Sequence, residues 1–523
     1  MDALRPDTRD VELFGNRQEL ERSLGSFSSF AAGFSYISIL TGMFQMFYLG
    51  FGVGGPAFFW TWPFVFAGQF LVALCFAELA AHYPLSGGVY QWSKYVGNPF
   101  VGFMTGWVYL ACLVVTLAAV ALALENVLPQ VWSGFQIIGG AGHGRGNGPN
   151  AVVLGCVLLI LSTLINAAGV RLLATINNIG VFSELIGIAI LILLLWKHSV
   201  RSLHAGVVDT LGKAGALGYT GPFLAAAALT ASYVMYGFDT AGSLAEETLD
   251  PRRRAPWAIV QALSAAGAAG LLVLLFSLTS APDLNAAALA SADGGLAYIV
   301  KEVVGSLPGR LLLADVAFAI FVCTLSVHTG TVRVVFAMAR DGRLPFSTAF
   351  ARVSESTRTP VIPAILAGLG AILILVINVQ FPKVVELVTA VAILWANLAY
   401  LLVVAAMFRR RLRGWPEAGS LDKGFRAFSL GRFGLPVNGL ALLWSVFMVV
   451  NVGWPPALIY SDTNRFAALS YTSLLLVVGA SYFWLLRRIM KPRRSFAPLC
   501  SATPQRSVDT KRQAHSAVKS SPE

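Results

Sequence analysis

Residues 27–50, FSSFAAGFSYISILTGMFQMFYLG, and residues 221–244, GPFLAAAALTASYVMYGFDTAGSL, are two apolar stretches of membrane-spanning length. Each is interrupted near its middle by glycines, hydroxyls or a carboxylate. Backbone groups that leave a helix inside hydrocarbon find no water, so such a break is tolerated only inside protein or along a cavity. Interruptions at corresponding places in two halves of a chain are typical of the binding site of a secondary transporter.

The composition places the chain in a membrane. Hydrophobic residues make up 56% of its 523 residues and charged residues 12%, with a mean hydropathy of +0.69, whereas soluble proteins average about 25% charged residues. Stretches of about 20 apolar residues indicate membrane-spanning helices. They predict an all-α polytopic membrane protein with twelve transmembrane helices, here called spans 1 to 12, at 27–50, 57–80, 99–124, 151–168, 174–196, 222–245, 256–279, 311–339, 361–379, 384–407, 437–453 and 467–486.

The positions of Lys and Arg predict the orientation. The net charge is +12, and 30 of the 38 basic residues fall on one side of the predicted membrane, together with the segment 1–26 and the tail 487–523. Such an excess marks the cytoplasmic side. We therefore expect cytoplasmic termini in a plasma membrane, or in the inner membrane of a bacterium. The arginines within 409–413 are better explained as a stop-transfer anchor of span 10 than as a binding patch.

The segments outside the spans carry few signals. Residues 1–25 lack the pattern of a cleavable signal peptide. The loop 139–150, with six glycines and two asparagines, predicts a flexible connection, and the composition of 494–523 predicts a disordered tail. Residues 283–305 predict short amphipathic helices, either a packed lid or an interfacial helix. The five cysteines lack metal-cluster or disulfide spacing, so we predict no metal site.

The first interruption, residues 35–42, reads SYISILTG and places hydroxyls and a glycine between two apolar halves. If the helix unwinds here, the N–H groups around Leu40, Thr41 and Gly42 become the open N-terminus of a second half-helix. Such an end favours a carboxylate. Alternatively, Ser38 and Gly42 are ordinary small residues at a helix contact.

The second interruption, residues 233–242, reads YVMYGFDTAG. A carboxylate inside a span costs about 2.5–3.5 kcal/mol to insert, so Asp239 is expected to face a partner, a cavity or a translocated ion. Tyr233, Tyr236 and Asp239 follow at spacings of three, and carbonyls before Gly237 could accept from an ammonium group. Aromatic rings beside a cation also favour an amine-bearing ligand. The alternative is that Asp239 pairs structurally with a hydroxyl or a basic group.

Two other ionisable side chains lie inside spans, and each has two interpretations. Glu184 in span 5 would exchange protons, because burial favours the neutral carboxyl, or it would be a static hydrogen-bonded strut. His328 in span 8 would be a proton relay or a satisfied core histidine, and we expect the second.

Two longer motifs predict structural corners rather than solute contacts. After span 2, Pro84 ends the helix and Gly87-Gly88 allow a tight turn, while Arg340-Asp341-Gly342 ends span 8. The acidic residues Glu78 and Glu246-Glu247 close spans 2 and 6. We expect these carboxylates to reach water, because they lie at span boundaries.

At these motifs the chain resembles the amino acid, polyamine and organocation transporter superfamily, from about residue 28 to 346. The form of the first break, Ser38-Ile39-Leu40-Thr41-Gly42, is similar to the amino acid and choline transporter branch, which includes permeases for 4-aminobutyrate, choline and polyamines. The other matching motifs are Ala77-Glu78-Leu79 with Gly87-Gly88-x-Tyr90, Gly106-Trp107, Ile165-Asn166, Ile176-Asn177, Gly237-Phe238-Asp239, Glu246-Glu247-Thr248-x-x-Pro251 and Arg340-Asp341-Gly342.

The resemblance implies a permease that works by alternating access, with a five-plus-five inverted repeat and broken helices 1 and 6. The transporter domain would cover 27–486, with a first repeat at 27–196, a second at 222–407, and spans 11 and 12 outside the repeat at 437–486.

The resemblance also implies residue roles. The backbone from Leu40 to Gly42 would hold a substrate carboxylate, Tyr233 would be the aromatic gate, and Asp239 would match an acidic residue common after Gly-Phe. Many relatives carry Gly-x-Gly where this chain has Leu40-Thr41-Gly42, which implies a narrower or differently shaped pocket. Some relatives couple protons through a lysine in span 5, which is absent here, leaving Glu184 as the proton-coupling candidate. The substrate-binding candidates are Ser38, Leu40, Thr41, Gly42, Tyr233, Tyr236, Gly237 and Asp239.

We therefore expect a permease for a small amino acid or amine, with 4-aminobutyrate-like solutes favoured and protons as the coupling ion. The alternatives are a choline or polyamine carrier and a membrane sensor without turnover. An enzyme is not expected, because no nucleophile with a base, metal cluster or phosphate loop is apparent. We expect no cofactor and no nucleic-acid partner.

Overall fold

A computed structural model describes most of the chain. The described residues are 9–138, 148–214, 218–292, 294–377, 384–416, 428–454 and 466–489. Most of the predicted flexible loop at 139–150, all of the predicted disordered tail at 494–523, and Cys500 lie outside these residues.

Within the described ranges the regular elements are helices, apart from one isolated bridge between Leu24 and Thr248. Ten helices among the described residues are long and apolar enough to cross a membrane, and each coincides with a predicted span. The predicted spans 6 and 9 correspond to two shorter apolar helices, Thr220–Val234 and Val361–Ile377. The all-α polytopic class is confirmed, while the twelve-span count and the inverted repeat remain predictions.

The bounds follow the predicted spans closely. Span 1 consists of two helices, Ser26–Ile37 and Ile39–Gly54. The other spans are Thr61–His82, Pro99–Leu122, Gly148–Ala168, Val170–Lys197, Thr220–Val234, Pro251–Ser280, Ser306–Arg340, Val361–Ile377, Val384–Arg411, Gly434–Gly453 and Ala467–Ile489.

Local sequence sets several of these ends. Span 3 starts with Pro99 in its first turn, and the Asn98 side chain accepts from the N–H groups of Phe100 and Val101 at 3.0 and 2.9 Å. The first N–H groups of a helix have no partner within the helix. The Asn side chain accepts from two of them and Pro carries no N–H group, so Asn followed by Pro is a strong helix start. Span 2 ends at His82, two residues before Pro84, as predicted.

Burial separates the central spans from the peripheral ones. In the most apolar windows of spans 1 and 3, 78% of residues are buried, against 39% in spans 4 and 5 and 28% in span 11. Exposed apolar side chains on a membrane helix face lipid. Spans 1 and 3 therefore line the centre of the bundle, where a solute site would lie.

The segment between spans 7 and 8 forms the predicted short helices, Ala287–Ala290 and Gly295–Val304. Leu296, Ile299 and Val300 of the second helix are fully buried, and Gly295 lies beside Tyr48 of span 1. The apolar side of this helix therefore packs on protein, which matches the packed-lid alternative.

The chain divides into two compact units, Met1–Gly479 and Ala480–Glu523. The first contains every residue discussed below. The described part of the second is the end of the helix Ala467–Ile489.

Candidate solute-binding site

Span 1 is interrupted at a single residue, Ser38. Its backbone has φ 32° and ψ 98°, so it belongs to neither flanking helix. The break lies about 18 Å along the span at 1.5 Å per residue, near the middle of the helix pair Ser26–Gly54. A non-glycine residue at positive φ is uncommon and costs conformational energy, and such strain concentrates at functional positions.

Span 6 is interrupted over a longer stretch. Its helix ends at Val234 after a π-helical stretch at Ala227–Ala231, and helical structure resumes only at Thr240–Ser243. Gly237 has φ 91°, a torsion that glycine adopts without a steric penalty. Residues 235–239 therefore present backbone polar groups inside the bundle.

The two interruptions lie against each other. A Cβ on Gly237 would come within 1.8 Å of the Tyr36 ring, and a Cβ on Gly42 would come within 2.6 Å of the Val234 side chain. Two glycines thus allow the two spans to approach at their irregular segments. The residues predicted for solute binding in spans 1 and 6 converge on one place.

Asp239 is fully buried and bonded to two tyrosines. Its carboxylate accepts from the Tyr109 hydroxyl at 2.5 Å and from the Tyr400 hydroxyl. The Tyr400 oxygen also accepts from the Gly237 N–H at 2.9 Å. The partner of Asp239 is therefore a hydroxyl pair from spans 3 and 10, and no basic side chain among the described residues forms an ion pair with it.

Three tyrosine rings border the interruptions. Tyr236 contacts the rings of Tyr36 and Tyr233 edge-on at centroid distances of 5.9 and 6.1 Å. The Tyr233 hydroxyl donates to Gln45 Oε1 at 3.0 Å, and the Tyr236 hydroxyl bonds that of Thr116 at 2.9 Å. The Tyr36 hydroxyl is buried without a partner in the described structure. A buried hydroxyl without a partner is destabilising unless a ligand or water satisfies it.

Glu184 from span 5 reaches the break in span 1. It is 1% exposed, and its Oε1 accepts from the Ser38 hydroxyl at 2.8 Å and from the Leu40 N–H at 3.1 Å. The carboxyl therefore lies at the N-terminus of the half-helix Ile39–Gly54, where the dipole and the unpaired N–H groups favour negative charge.

A second polar cluster lies one turn before the break. Asn177 Oδ1 accepts from the hydroxyls of Ser35 and Ser326 at 2.7 and 2.9 Å. It borders a pocket of about 20 Å³, which also contacts Thr240 and Thr329. That volume holds about one water molecule, so this pocket is too small for an amino acid.

His328 forms hydrogen bonds at both ring nitrogens. Nδ1 bonds the Ser162 hydroxyl at 2.9 Å, and Nε2 lies 2.9 Å from the Ala364 carbonyl oxygen. A carbonyl accepts only, so Nε2 carries a proton, and in the neutral ring Nδ1 accepts from Ser162. A neutral histidine with both nitrogens bonded is a structural arrangement.

We expect His328→Gln to lower stability without removing pH-gradient dependence. Losing two buried hydrogen bonds should reduce the free energy of unfolding by about 1–3 kcal/mol. Thermal stability in detergent and uptake with and without a pH gradient measure the two effects. If the variant is stable but a pH gradient no longer stimulates its uptake, the result would support His328 as a proton relay.

The acidic residues at the span ends do not reach water, contrary to the sequence-based expectation. Glu78, Glu246 and Glu247 are fully buried. Burial raises the pKa of Glu247, while the Arg333 guanidinium acts in the opposite direction. Each carboxylate pairs with an arginine: Arg411 with Glu78, Arg340 with Glu246 at 2.7 Å, and Arg333 with Glu247 at 2.7 Å. These pairs join the ends of spans 2, 6, 8 and 10.

The segment before span 1 closes the same side. The N–H groups of Ser23 and Leu24 both donate to the Glu247 carbonyl at 2.9 Å, and the Leu249 N–H donates to the Leu24 carbonyl at 2.9 Å. The Gln18 side chain also donates to the Glu246 carbonyl. The predicted corners thus belong to a closure between the candidate site and the side on which residues 9–25 lie.

An all-helical membrane protein with two helices interrupted side by side around buried carboxyl and hydroxyl groups has the architecture of a solute transporter. The comparison with protein families agrees. Residues 24–480 match the family described as amino acid permease, and the chain belongs to that family. Its members are permeases and not enzymes, which confirms both the resemblance and the expectation of a non-enzyme.

Individual relatives cover most of the chain. The chain is 27% identical to the amino-acid permease BAT1 of Arabidopsis thaliana over 92% of its own length and 94% of the relative's. It is 28% identical to the methylthioribose transporter of Bacillus subtilis, over 68% and 74% of the two chains. It is 23% identical to the GABA-specific permease of Saccharomyces cerevisiae, over 75% and 70%. The differing substrates in these names leave the solute of this chain to be argued from its site.

Proposed function

We propose that the chain is a secondary transporter that moves a small amino acid or amine by alternating access, with the solute between the interruptions of spans 1 and 6. The observation that carries this proposal is the direct contact of the two interruptions inside the bundle, Tyr36 on Gly237 and Val234 on Gly42. Irregular backbone there is stable only where its polar groups have partners, and a solute can be one of them.

The eight candidate residues take the following roles in this proposal. Ser38 and the backbone at Leu40, Thr41 and Gly42 orient the acidic end of the solute. The carbonyls before Gly237, with Asp239 behind them, favour an ammonium group, and the tyrosine rings surround its apolar part. The residues that contact the solute are Ser38, Leu40, Thr41, Gly42, Tyr233, Tyr236, Gly237 and Asp239.

Glu184 is the proposed proton-coupling residue. It is a buried carboxyl in direct contact with the span 1 break, so its charge and the geometry of Ser38 depend on each other. A proton on Glu184 would remove the charged acceptor from the Ser38 hydroxyl and the Leu40 N–H, and that change would bias the conformation of the break.

The remaining parts of the proposal concern topology and solute. They are twelve spans with an inverted repeat, cytoplasmic termini, and a plasma-membrane location. Among solutes, 4-aminobutyrate-like compounds are favoured, because they combine an ammonium and a carboxylate group on a small chain. A relative named as GABA-specific supports this choice.

A second candidate, a choline or polyamine carrier, is favoured by one observation. Glu184 and Asp239 are both buried, and their hydrogen-bond partners in the described structure are hydroxyls and backbone N–H groups, with no basic side chain. A site with two acids suits a cationic solute. In competition assays, this candidate predicts that amines without a carboxylate compete as well as amino acids do.

Uptake into proteoliposomes tests the proposal. Labelled 4-aminobutyrate, leucine, choline and putrescine would be offered with and without a pH gradient. We expect saturable uptake of at least one amino acid, stimulated several-fold when the outside is more acidic. Saturable binding without flux would support the sensor, and neither binding nor flux of any of these solutes would contradict a carrier of this class.

A further inference from the structure

The carboxyl of Glu184 occupies the position where a helix N-terminus would hold an anion. Its Oε1 lies 3.1 Å from the Leu40 nitrogen and 2.8 Å from the Ser38 hydroxyl oxygen. Both donors belong to the start of the half-helix Ile39–Gly54. A side chain from span 5 is thus bound at the half-helix N-terminus, where the carboxylate of the solute is predicted to bind.

The other N–H groups of this first turn are also occupied. The Thr41 N–H donates to Ser38 Oγ at 3.3 Å, and the Gly42 N–H donates to the Ser38 carbonyl at 2.9 Å. The Thr41 hydroxyl bonds Ser38 Oγ at 2.7 Å. A solute carboxylate that approached Leu40, Thr41 and Gly42 in this conformation would meet satisfied donors and an adjacent carboxyl of the same charge.

We propose that Glu184 is a built-in substitute for the carboxylate of the solute. Ionised Glu184 holds the Ser38 hydroxyl and the Leu40 N–H and excludes a solute carboxylate. Protonated Glu184 is a weaker acceptor, releases these donors, and admits the solute carboxylate in its place. This inference rests on the proposed transport function and specifies how that function would be coupled to protons.

Charge balance gives the physical reason for coupling. One negative charge at the half-helix N-terminus is favourable, whereas two carboxylates within a few ångströms in a site of low dielectric repel strongly. When a proton and a solute carboxylate arrive together, one anion replaces another at the half-helix N-terminus, and the charge at that end of the site stays constant. A solute without a carboxylate does not compete with Glu184 for the Ser38 hydroxyl and the Leu40 N–H, so its binding does not require protonation of Glu184.

The groups that face Glu184 from neighbouring elements are few in the described structure. Span 1 contributes Ser38 and Leu40, which carry no ionisable group. Span 8 contributes Asp315 and Cys323, which lie near Glu184. One oxygen of Asp315 accepts from the Ser183 hydroxyl at 2.5 Å. The other oxygen packs against Gly187, because a Cβ added to that glycine would lie 1.8 Å from it. Asp315 therefore supplies a matched control: a nearby carboxyl that does not touch the break.

The experiment compares two solutes that differ by one carboxylate, 4-aminobutyrate and propylamine. Competition against labelled amino acid uptake gives an apparent KM or inhibition constant for each, at external pH from 5 to 8. At pH values high enough to ionise Glu184, we expect the constant of the wild-type protein for 4-aminobutyrate to rise by up to about tenfold per pH unit. The constant for propylamine should change less than twofold.

The variant Glu184→Gln removes the exchangeable charge and keeps the side-chain size. We expect its constant for 4-aminobutyrate to be independent of pH and equal to the low-pH value of the wild-type protein. An internal pH dye should report no proton entering with the solute. Asp315→Asn should keep the pH dependence and the proton entry. Glu184→Asp, one methylene shorter, should lose contact with the break and show a pH slope reduced at least threefold.

The outcomes are distinguishable. If wild-type protein transports none of the panel, the proposed function fails and this inference fails with it. If the wild-type protein transports but Glu184→Gln or Glu184→Asp keeps the wild-type pH slope and proton entry, only the inference is overturned. An equal pH slope for 4-aminobutyrate and propylamine overturns it as well. If Glu184→Gln does not fold, the result for Glu184→Asp decides.

Discussion

Gly237→Ala is expected to abolish transport. The residue has φ 91°, and an added Cβ would lie 1.8 Å from the ring of Tyr36, closer than non-bonded heavy atoms approach each other in proteins. Either the interruption of span 6 or the first half of span 1 would have to shift, and the Gly237 N–H would lose its bond to Tyr400. We expect uptake in proteoliposomes below about 1% of wild type, because an ångström of misplacement in a binding site costs about a hundredfold.

Gly439→Ala is the matched control. Gly439 lies inside a helix, and its added Cβ would meet the Phe408 ring at 3.6 Å, an ordinary contact. In a helix interior alanine is favoured over glycine by about 1 kcal/mol. This variant should transport like the wild-type protein. Near-normal uptake by folded Gly237→Ala protein would contradict the proposed role of the span 6 interruption.

Arg333→Met is expected to have the largest effect on stability. Arg333 is 1% exposed and pairs at 2.7 Å with Glu247, which is fully buried. Removing one partner of a buried ion pair leaves an uncompensated charge and reduces stability by about 3–5 kcal/mol. The loss should appear as a lower melting temperature in detergent and as poor recovery of monodisperse protein.

Two comparisons separate this effect from a general loss of charge. Arg171 pairs with Glu21 at the surface, with 79% of its side chain exposed, so Arg171→Met should change stability by only about 0–1 kcal/mol. The double variant Arg333→Met with Glu247→Leu should recover most of the stability, because it leaves no unpaired charge. Equal destabilisation by Arg333→Met and Arg171→Met would contradict the closure described here.

The sequence was sufficient to predict the helices and the two interruptions. Apolar stretches of about 20 residues located the spans, and Gly237 with Asp239 indicated a break, because neither residue suits the middle of a membrane helix. The position of the span 1 break was also predicted, within residues 35–42. Its one-residue form at Ser38, with positive φ, was not, since that torsion depends on contacts with span 5.

Partners distant in sequence could not be predicted. Tyr109 and Tyr400 bond Asp239 from 130 and 161 positions away, and Glu184 lies 146 positions from Ser38. A tyrosine in an apolar span is compatible with many environments, so nothing local marked these two. The Tyr36 hydroxyl, buried without a partner among the described residues, was likewise invisible until its surroundings were known.

The prediction for the acidic residues at the span ends was wrong, because it placed buried carboxylates in contact with water. Glu78, Glu246 and Glu247 lie at span boundaries, and a boundary position predicts access to water when the loops are unknown. In the structure, residues 18–24 and the arginines at the ends of spans 8 and 10 cover them. The covering elements come from three distant parts of the chain, so no local pattern could have predicted this burial.

The central claim is that a solute binds between the interruptions of spans 1 and 6. The most direct measurement is a cryo-EM structure in lipid nanodiscs with the amino acid that the protein transports best. We expect solute density in contact with the Tyr36 hydroxyl and with the backbone at Leu40–Gly42 and residues 235–237. Continuous helices through residues 38 and 237, or solute density elsewhere in the bundle, would contradict it.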